Sequence, residues 1–203
     1  MNWAPRFARL VTRVVVRVPG LWRLFRPALA ATFDRLAPDW DQRMSPTRLT
    51  AIREALEAVE TAPRAILDLG TGTGSVARLA AELWPDAEIV GADVSAGMIE
   101  EARSRATGPR QRYEVADAAR LPYEDGAFEL VALNNMIPFF DELARVTAPG
   151  GTVAIAFSSG PETPIYVPLE RVQAELERRN FSHVTTFSPG PGQSLLAQKA
   201  NRP

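Results

Sequence analysis

The chain has 203 residues, 46% of them hydrophobic, a formal net charge of −1 and no cysteine. This length and apolar content build a full core without staples, and the missing thiols exclude a disulfide framework, a thiolate metal site and a cysteine nucleophile. The near-neutral total excludes a general electrostatic pull toward nucleic acid, and no apolar run reaches the ~20 residues of a membrane span.

The charge is unevenly spread. Residues 1–33 hold Arg6, Arg9, Arg13, Arg17, Arg23 and Arg26 and no acid. These arginines interrupt the apolar stretch, which is not the pattern of a secretory signal, and no small-residue cleavage site follows. An Arg-rich, acid-free start is also the composition of a transit peptide, against which its lack of serine stands. With the cysteine count, the expected location is cytoplasmic.

Residues 3–18 have helical periodicity, with Trp3, Phe7, Leu10, Val14 and Val18 as the apolar stripe and arginines beside it. Pro19 and Gly20 break that helix, and a short apolar-basic segment then ends at Pro27. Phe33–Asp41 reads as a loop or broken helix. Ser45 reads as an N-cap with Pro46 at the first helical position, ahead of a stripe of Leu49, Ile52, Leu56 and Val59.

From Ala65 the pattern becomes strand–helix alternation. Strands are expected at 65–68, 88–92, 113–116, 128–133 and, after a turn at Pro149–Gly151, at 152–157. Helices are expected at 74–83, 96–106, 139–147 and 168–179, the last turning Leu169, Val172 and Leu176 inward. Such alternation means a parallel sheet covered on both faces. The runs 183–187 and 194–198 are too close for a parallel crossover and must form an antiparallel hairpin. The chain divides into a helical extension or lid, residues 1–44, and one α/β domain, residues 45–203.

The strongest motif is Asp68-Leu-Gly-Thr-Gly-Thr-Gly74, between a strand and a helix. Glycines at 70, 72 and 74 let the backbone bend sharply and approach a ligand, and the helix start offers N–H groups to an anionic group. A tight strand–helix turn without a ligand would use the same residues. Asp93, about 20 residues on and at the end of the second strand, is placed to accept ribose hydroxyls. Ser95 is the better cap for the next helix, which leaves Asp93 for a ligand.

With these segments in view, the span from about Phe33 to Ala200 resembles the class I S-adenosylmethionine-dependent methyltransferases, in particular the small-molecule enzymes related to the ubiquinone/menaquinone methyltransferases. The resemblance is carried by Phe33–Asp41, Ile66–Ser75, Gly91–Ile99, Ala116–Tyr123, Phe128–Val131 and Glu142–Gly151, in order and at similar spacing. It implies a doubly wound, Rossmann-like sheet of seven strands, mostly parallel, with a C-terminal antiparallel hairpin. It also implies S-adenosylmethionine as cofactor and a small-molecule methyl acceptor.

By the same resemblance Gly70, Thr71, Gly72 and Gly74 would border the methionine portion of the cofactor, and Asp68 would face its amino group directly or through water. Asp93 would hold the ribose, and Val94 and Met98 would flank the adenine. Asp117 would accept from the adenine amino group with the Ala118 N–H nearby, and Asn134 would lie beside the sulfonium. Asp117 as a turn residue and Met98 as a core residue are the plain alternatives.

The acceptor side departs from the family, because only 134–141 separate the fourth strand from Glu142, where a longer loop and helix are usual. Asn135-Met-Ile-Pro138 also lacks the Asn-Pro-Pro-aromatic signature of nucleic-acid amino methyltransferases, so no nucleic-acid partner is expected. No catalytic residue and no metal site is assigned. Asp41, Asp141 and Glu142 could reach the acceptor, and Phe33, Trp40, Phe139 and Phe140 line an apolar pocket or serve as core aromatics. The lone histidine, His183, begins a late strand and reads as structural.

Two other functions share these features. A nicotinamide-dependent oxidoreductase has the glycine turn and the ribose carboxylate, but Ser75 stands where its third glycine belongs. A non-catalytic S-adenosylmethionine-binding protein would fit the shortened acceptor wall. Residues 1–30 read either as a lid helix or as a peripheral anchor on anionic lipid.

Overall fold

The computed structural model describes residues 4–201. In chain order the elements are α1 (Ala4–Arg17), α2 (Trp22–Leu36), α3 (Trp40–Arg43), α4 (Thr50–Glu57), β1 (Ala65–Leu69), α5 (Ser75–Leu83), β2 (Glu88–Asp93), α6 (Ala96–Ser104), β3 (Gln111–Val115), β4 (Phe128–Asn134), α7 (Phe140–Val146), β5 (Thr147–Phe157), α8 (Leu169–Glu177), β6 (Phe181–Phe187) and β7 (Gln193–Lys199), with 3-10 turns between several helices.

Side chains alternate across a strand, and the apolar residues divide accordingly. Leu67, Leu69, Val90, Val131, Leu133, Val153 and Ile155 face one layer, made by α1, Trp22, α7 and α8. Ile66, Ile89, Leu130, Ala132, Ala154 and Ala156 face the other, made by α4, α5 and α6. The sheet order is β3-β2-β1-β4-β5-β7-β6. The first five strands are parallel, β7 runs antiparallel to β5, and β6 antiparallel to β7. This is the expected seven-stranded doubly wound sheet with its antiparallel hairpin. Strand order reverses between β1 and β4, which opens a crevice at their C-terminal ends.

Several expectations are corrected. In α1 the buried residues are Val11, Thr12 and Val15, whereas Leu10 and Val18 are 59% and 51% exposed and Trp3 lies outside the described residues. At 100° per residue, Val11 and Val15 sit opposite Arg9, Arg13 and Arg17, while Leu10 sits beside them, so the sheet takes the face farthest from the charges. Pro27 does not end a short segment. It lies inside α2, exposed at the sixth helical residue, where it gives up the main-chain bond to Arg23 and crowds that carbonyl without stopping the helix.

The expected turn at Pro149–Gly151 is a bulge within β5, where the register with β4 jumps from Phe128↔Thr147 to Leu130↔Thr152. His183 stands exposed at a bulge inside β6 with φ 49°, not at the start of the strand. The Phe33–Asp41 stretch is the broken helix of the two readings: the end of α2, a 3-10 turn and the start of α3.

Candidate active site

The chain leaves β1 through a bend in which Gly70, Gly72 and Gly74 all take positive φ, 72°, 54° and 80°. The three have different surroundings. A Cβ on Gly70 would lie 2.7 Å from Met136 Sδ and one on Gly74 2.9 Å from the Tyr113 hydroxyl, whereas the nearest atom to one on Gly72 is Trp40 Nε1 at 3.7 Å. Gly72 is therefore where the bend has room beside it.

Five hydrogen bonds pin this bend. Gly70 and Thr71 donate their N–H groups to Ala92 O at the end of β2. Asp68 Oδ2 accepts from Thr71 Oγ1 at 2.5 Å and from Ala77 N at 2.9 Å. Gly72 N–H donates to Asp93 Oδ2 at 3.0 Å. Asp68 is 1% exposed, so its carboxyl is turned into the protein and binds the loop itself. That burial, more than the opposing hydrogen bonds from Thr71 and Ala77, pushes its pKa up to about 7.

Asp93 ends β2, and its Oδ1 accepts from Ser95 N at 2.9 Å. Burial raises its pKa above the usual carboxylate value, against the hydrogen bonds from Ser95 and Gly72. Ser95 caps α6 by accepting from Met98 N at 3.1 Å, as its position in the sequence predicts. Met98 is buried and Val94 half-buried.

Asp117 follows β3. Its Oδ1 accepts from Trp22 Nε1 at 2.7 Å and from Ala119 N at 3.0 Å, and its Oδ2 from Arg26 at 2.9 Å. Ala118 is buried in the core. A cavity of about 400 Å³ lies between Arg26, Pro27 and Ala30 of α2 and Val94, Ala116 and Asp117 of the sheet end. A second cavity, about 360 Å³, opens at the other end of the strands beside Ala65, Glu88 and Phe128, and none of the expected residues lines it.

At the end of β4, Asn134 donates to Arg48 O at 3.3 Å, while its Oδ1 is buried with no partner. Asn135, at φ 56°, exchanges hydrogen bonds with Ser158 across the strand ends and so ties down the short acceptor wall. Of the three acids expected near the acceptor, Asp41 is in the site. It accepts from Arg48 and Thr73 and pairs with Arg105. Asp141 is exposed and pairs with Arg179, and Glu142 is held by Arg145 and the Leu121 N–H, so both serve the α7 region instead. Phe139 and Phe140 belong to the buried core, while Phe33 packs edge-on against Trp40 above Gly72.

The bend, Asp93, Asp117 and Asn134 thus meet at the C-terminal ends of β1, β2, β3 and β4. Sequence reading missed Trp22, Arg26, Asp34 and Arg48. Asp34 Oδ1 accepts from Ser95 Oγ at 2.6 Å and Gly97 N at 3.0 Å, which joins α2 to the start of α6. The signal available for Trp22, Arg26 and Asp34 was their spacing of four and then eight along one segment.

Residues 66–151 match the family model described as methyltransferase domain. The demethylmenaquinone methyltransferase of Thermus thermophilus is 43% identical over 107 residues, 48% of this chain and 49% of its own. The malonyl-[acyl-carrier protein] O-methyltransferase of Halorhodospira halophila is 38% identical over 148 residues, 68% of this chain and 50% of its own. The chain spans about half the length of these relatives.

Among solved structures, a chain in complex with the Trm112 methyltransferase activator of Haloferax volcanii superposes with a TM-score of 0.71 at 18% identity, over 83% of this chain and 98% of that one. Phosphoethanolamine N-methyltransferase 2 of Haemonchus contortus, solved with S-adenosyl-L-methionine, gives 0.63 at 17% identity, over 80% and 53%. These two share the fold. Residues 66–151 are therefore a domain of the methyltransferase family, set in the fold that the S-adenosylmethionine-dependent enzymes share.

Proposed function

We propose that this protein moves a methyl group from S-adenosylmethionine to a small, partly apolar acceptor, with the cofactor lying across the ends of β1, β2, β3 and β4. The observation that carries the reading is the meeting of a three-glycine bend, two carboxylates and the orphaned Asn134 Oδ1 at the point where strand order reverses. The residues suit the group. At Gly72 no side chain shields the backbone and Trp40 is the neighbour a ligand chain would displace, and Asp93 faces that bend with the acceptor chemistry a ribose needs. The cavity between Val94 and Asp117 suits a flat base, while Met98 and Ala118 are buried and do not line it. A buried carbonyl oxygen without a donor matches a neighbouring positive centre. Asp68 acts at one remove, by holding Thr71 and the start of α5.

When bound, the cofactor supplies a methyl carbon on an already activated sulfonium for in-line displacement. The protein's task is to align the acceptor and keep water out. Asn134 and the wall tied by Asn135 and Ser158 would orient the acceptor, and Phe33 and Trp40 would give it an apolar surface. With Asp141 and Glu142 committed to arginines elsewhere and Asp41 paired with both Arg48 and Arg105, an acceptor that is already a good nucleophile suits the site.

Calorimetry with S-adenosylmethionine, its demethylated product and NAD tests the cofactor. Binding of NAD alone would restore the oxidoreductase reading. Transfer of labelled methyl into small molecules of a cell extract tests catalysis, and tight cofactor binding without any transfer would favour a non-catalytic binder.

A second reading concerns location. Among the described residues no helix is long and apolar enough to cross a membrane. Val18, Leu21 and Leu24 are nonetheless exposed around the α1–α2 corner and Leu10 farther back on α1, and Arg13, Arg17 and Arg23 are exposed as well. This supports peripheral contact of residues 1–30 with anionic lipid. Cosedimentation with anionic vesicles should fall on Leu21→Glu with Leu24→Glu, and equal sedimentation of this variant removes the reading.

A further inference from the structure

We propose that Trp22 and Arg26 are positioning residues for the cofactor's base, and that one face of α2 is the outer wall of the nucleoside site. The proposal rests on the reading of Asp117 as the carboxylate that meets the base, and deepens it.

The argument begins with spacing. Trp22, Arg26, Ala30 and Asp34 follow one another at i, i+4 and so lie along one stripe of α2, about 18 Å long at 1.5 Å per residue. The stripe is fixed at both ends to loops that carry site residues. At one end Trp22 and Arg26 donate to the two oxygens of Asp117, after β3. At the other Asp34 accepts from Ser95 Oγ and Gly97 N, beside Asp93 after β2. Between these clamps Pro27 and Ala30 face Val94 and Ala116 across the 400 Å³ cavity. The cavity is present with the helix docked, so the helix bounds it and does not fill it.

Asp117 shows what the clamp does. A carboxylate offers about four acceptor sites. Trp22 Nε1 and Ala119 N take those of Oδ1, and Arg26 takes one of Oδ2. One site on Oδ2 is left for a ligand donor. Trp22 is 8% exposed and packs edge-on against Phe139, so its N–H is a fixed donor, while the Arg26 side chain is 46% exposed and holds less firmly. A carboxylate oriented in this way accepts from an exocyclic amino group and opposes a carbonyl oxygen at the same place. The wall thus specifies an amino-purine over an oxo-purine.

The test uses S-adenosylhomocysteine and its deaminated 6-oxo analogue, S-inosylhomocysteine, as calorimetric probes on the full chain. The wild type should prefer the amino compound by roughly tenfold, the value of one oriented hydrogen bond. Trp22→Phe should bring that preference to within about twofold, and Arg26→Gln, at an exposed position, should lower it less. Thermal melts report whether each variant folds. Hydrogen exchange on the unmodified protein is the independent arm, and exchange across residues 22–36 should slow on saturation with S-adenosylhomocysteine.

Faster exchange there, or tighter binding by Trp22→Phe, would mean that the helix competes with the ligand, and overturns the proposal. Loss of preference in Asp117→Asn but not in Trp22→Phe or Arg26→Gln overturns the proposal alone. No preference in the wild type, with no effect of Asp117→Asn, removes the reading of Asp117 and the proposal with it.

Discussion

The backbone N–H of Gly72 donates to Asp93 Oδ2 across 3.0 Å, so the bend after β1 and the end of β2 form one hydrogen-bonded unit. The other oxygen of Asp93 holds Ser95 at the start of α6. A ligand bound by either residue is bound by a structure that the other helps to shape.

Asp93→Ala removes the acceptor for two N–H groups at once. Stability should fall by about 1–3 kcal/mol, and affinity for S-adenosylmethionine by more than roughly tenfold, since two ribose hydroxyls lose their acceptor. Calorimetry and denaturant melts measure both. Unchanged affinity in a folded variant would take Asp93 out of the cofactor site.

The glycines 72 and 91 should separate binding from folding. A Cβ on Gly72 has space, so Gly72→Ala should cost about 1–2 kcal/mol for its positive φ while cofactor affinity drops sharply. A Cβ on Gly91 would run into the Tyr113 ring and lie 2.8 Å from Thr71 Oγ1, so Gly91→Ala should mainly destabilise, by about 1–3 kcal/mol or more. Paired melting and binding curves for the two variants check this.

Asp68 makes stability depend on pH in a defined direction. Burial raises its folded pKa to about 7, against 3.8 for the ordinary carboxyl. Between about pH 4 and 7 the folded state therefore holds a proton that the unfolded chain has released. This group's contribution is full at the acid end of the window and is lost as pH rises through about 7. Asp68→Asn, which keeps an acceptor for Thr71 and Ala77, should flatten that slope in urea titrations across the window.

Asp34 acts in the opposite sense. Its pKa lies below 3.8 because Ser95 and then Gly97 hydrogen-bond the carboxylate. Its contribution is present above that value and disappears as pH falls through the lowered one. Asp34→Ala should cost about 1 kcal/mol at neutral pH, as for a lost helix cap, and should speed hydrogen exchange in α2. A melt indistinguishable from the wild type at neutral pH would contradict this.

Much of the site was legible along the chain because its parts are local. Gly70, Gly72 and Gly74 follow a strand directly, and Asp93 lies 21 residues past Gly72, one strand–helix–strand unit away. Ser95 announces a helix start by its position. Even the antiparallel hairpin could be read, since six residues between β-like runs leave no other connection. What stayed hidden joins distant segments. Asp117 meets Trp22 across 95 positions and Arg26 across 91, and Asp34 meets Ser95 across 61. No periodicity encodes such pairings, because they depend on where a packed helix comes to rest.

The helix α1 shows the division most plainly. The alternation of valine with arginine dictates an amphipathic helix, since opposite faces of a 3.6-residue turn differ in polarity. Two apolar stripes were on offer, and local pattern could not choose between Leu10 with Val18 and Val11 with Val15. Docking on the sheet chose the stripe opposite the arginines, because that arrangement buries apolar surface while Arg9, Arg13 and Arg17 stay exposed. Backbone bends and the alternation of strands with helices follow from short-range sterics and apolar spacing, whereas the strand order, the partners of Asp117 and the inward face of α1 follow from packing that only the assembled sheet creates.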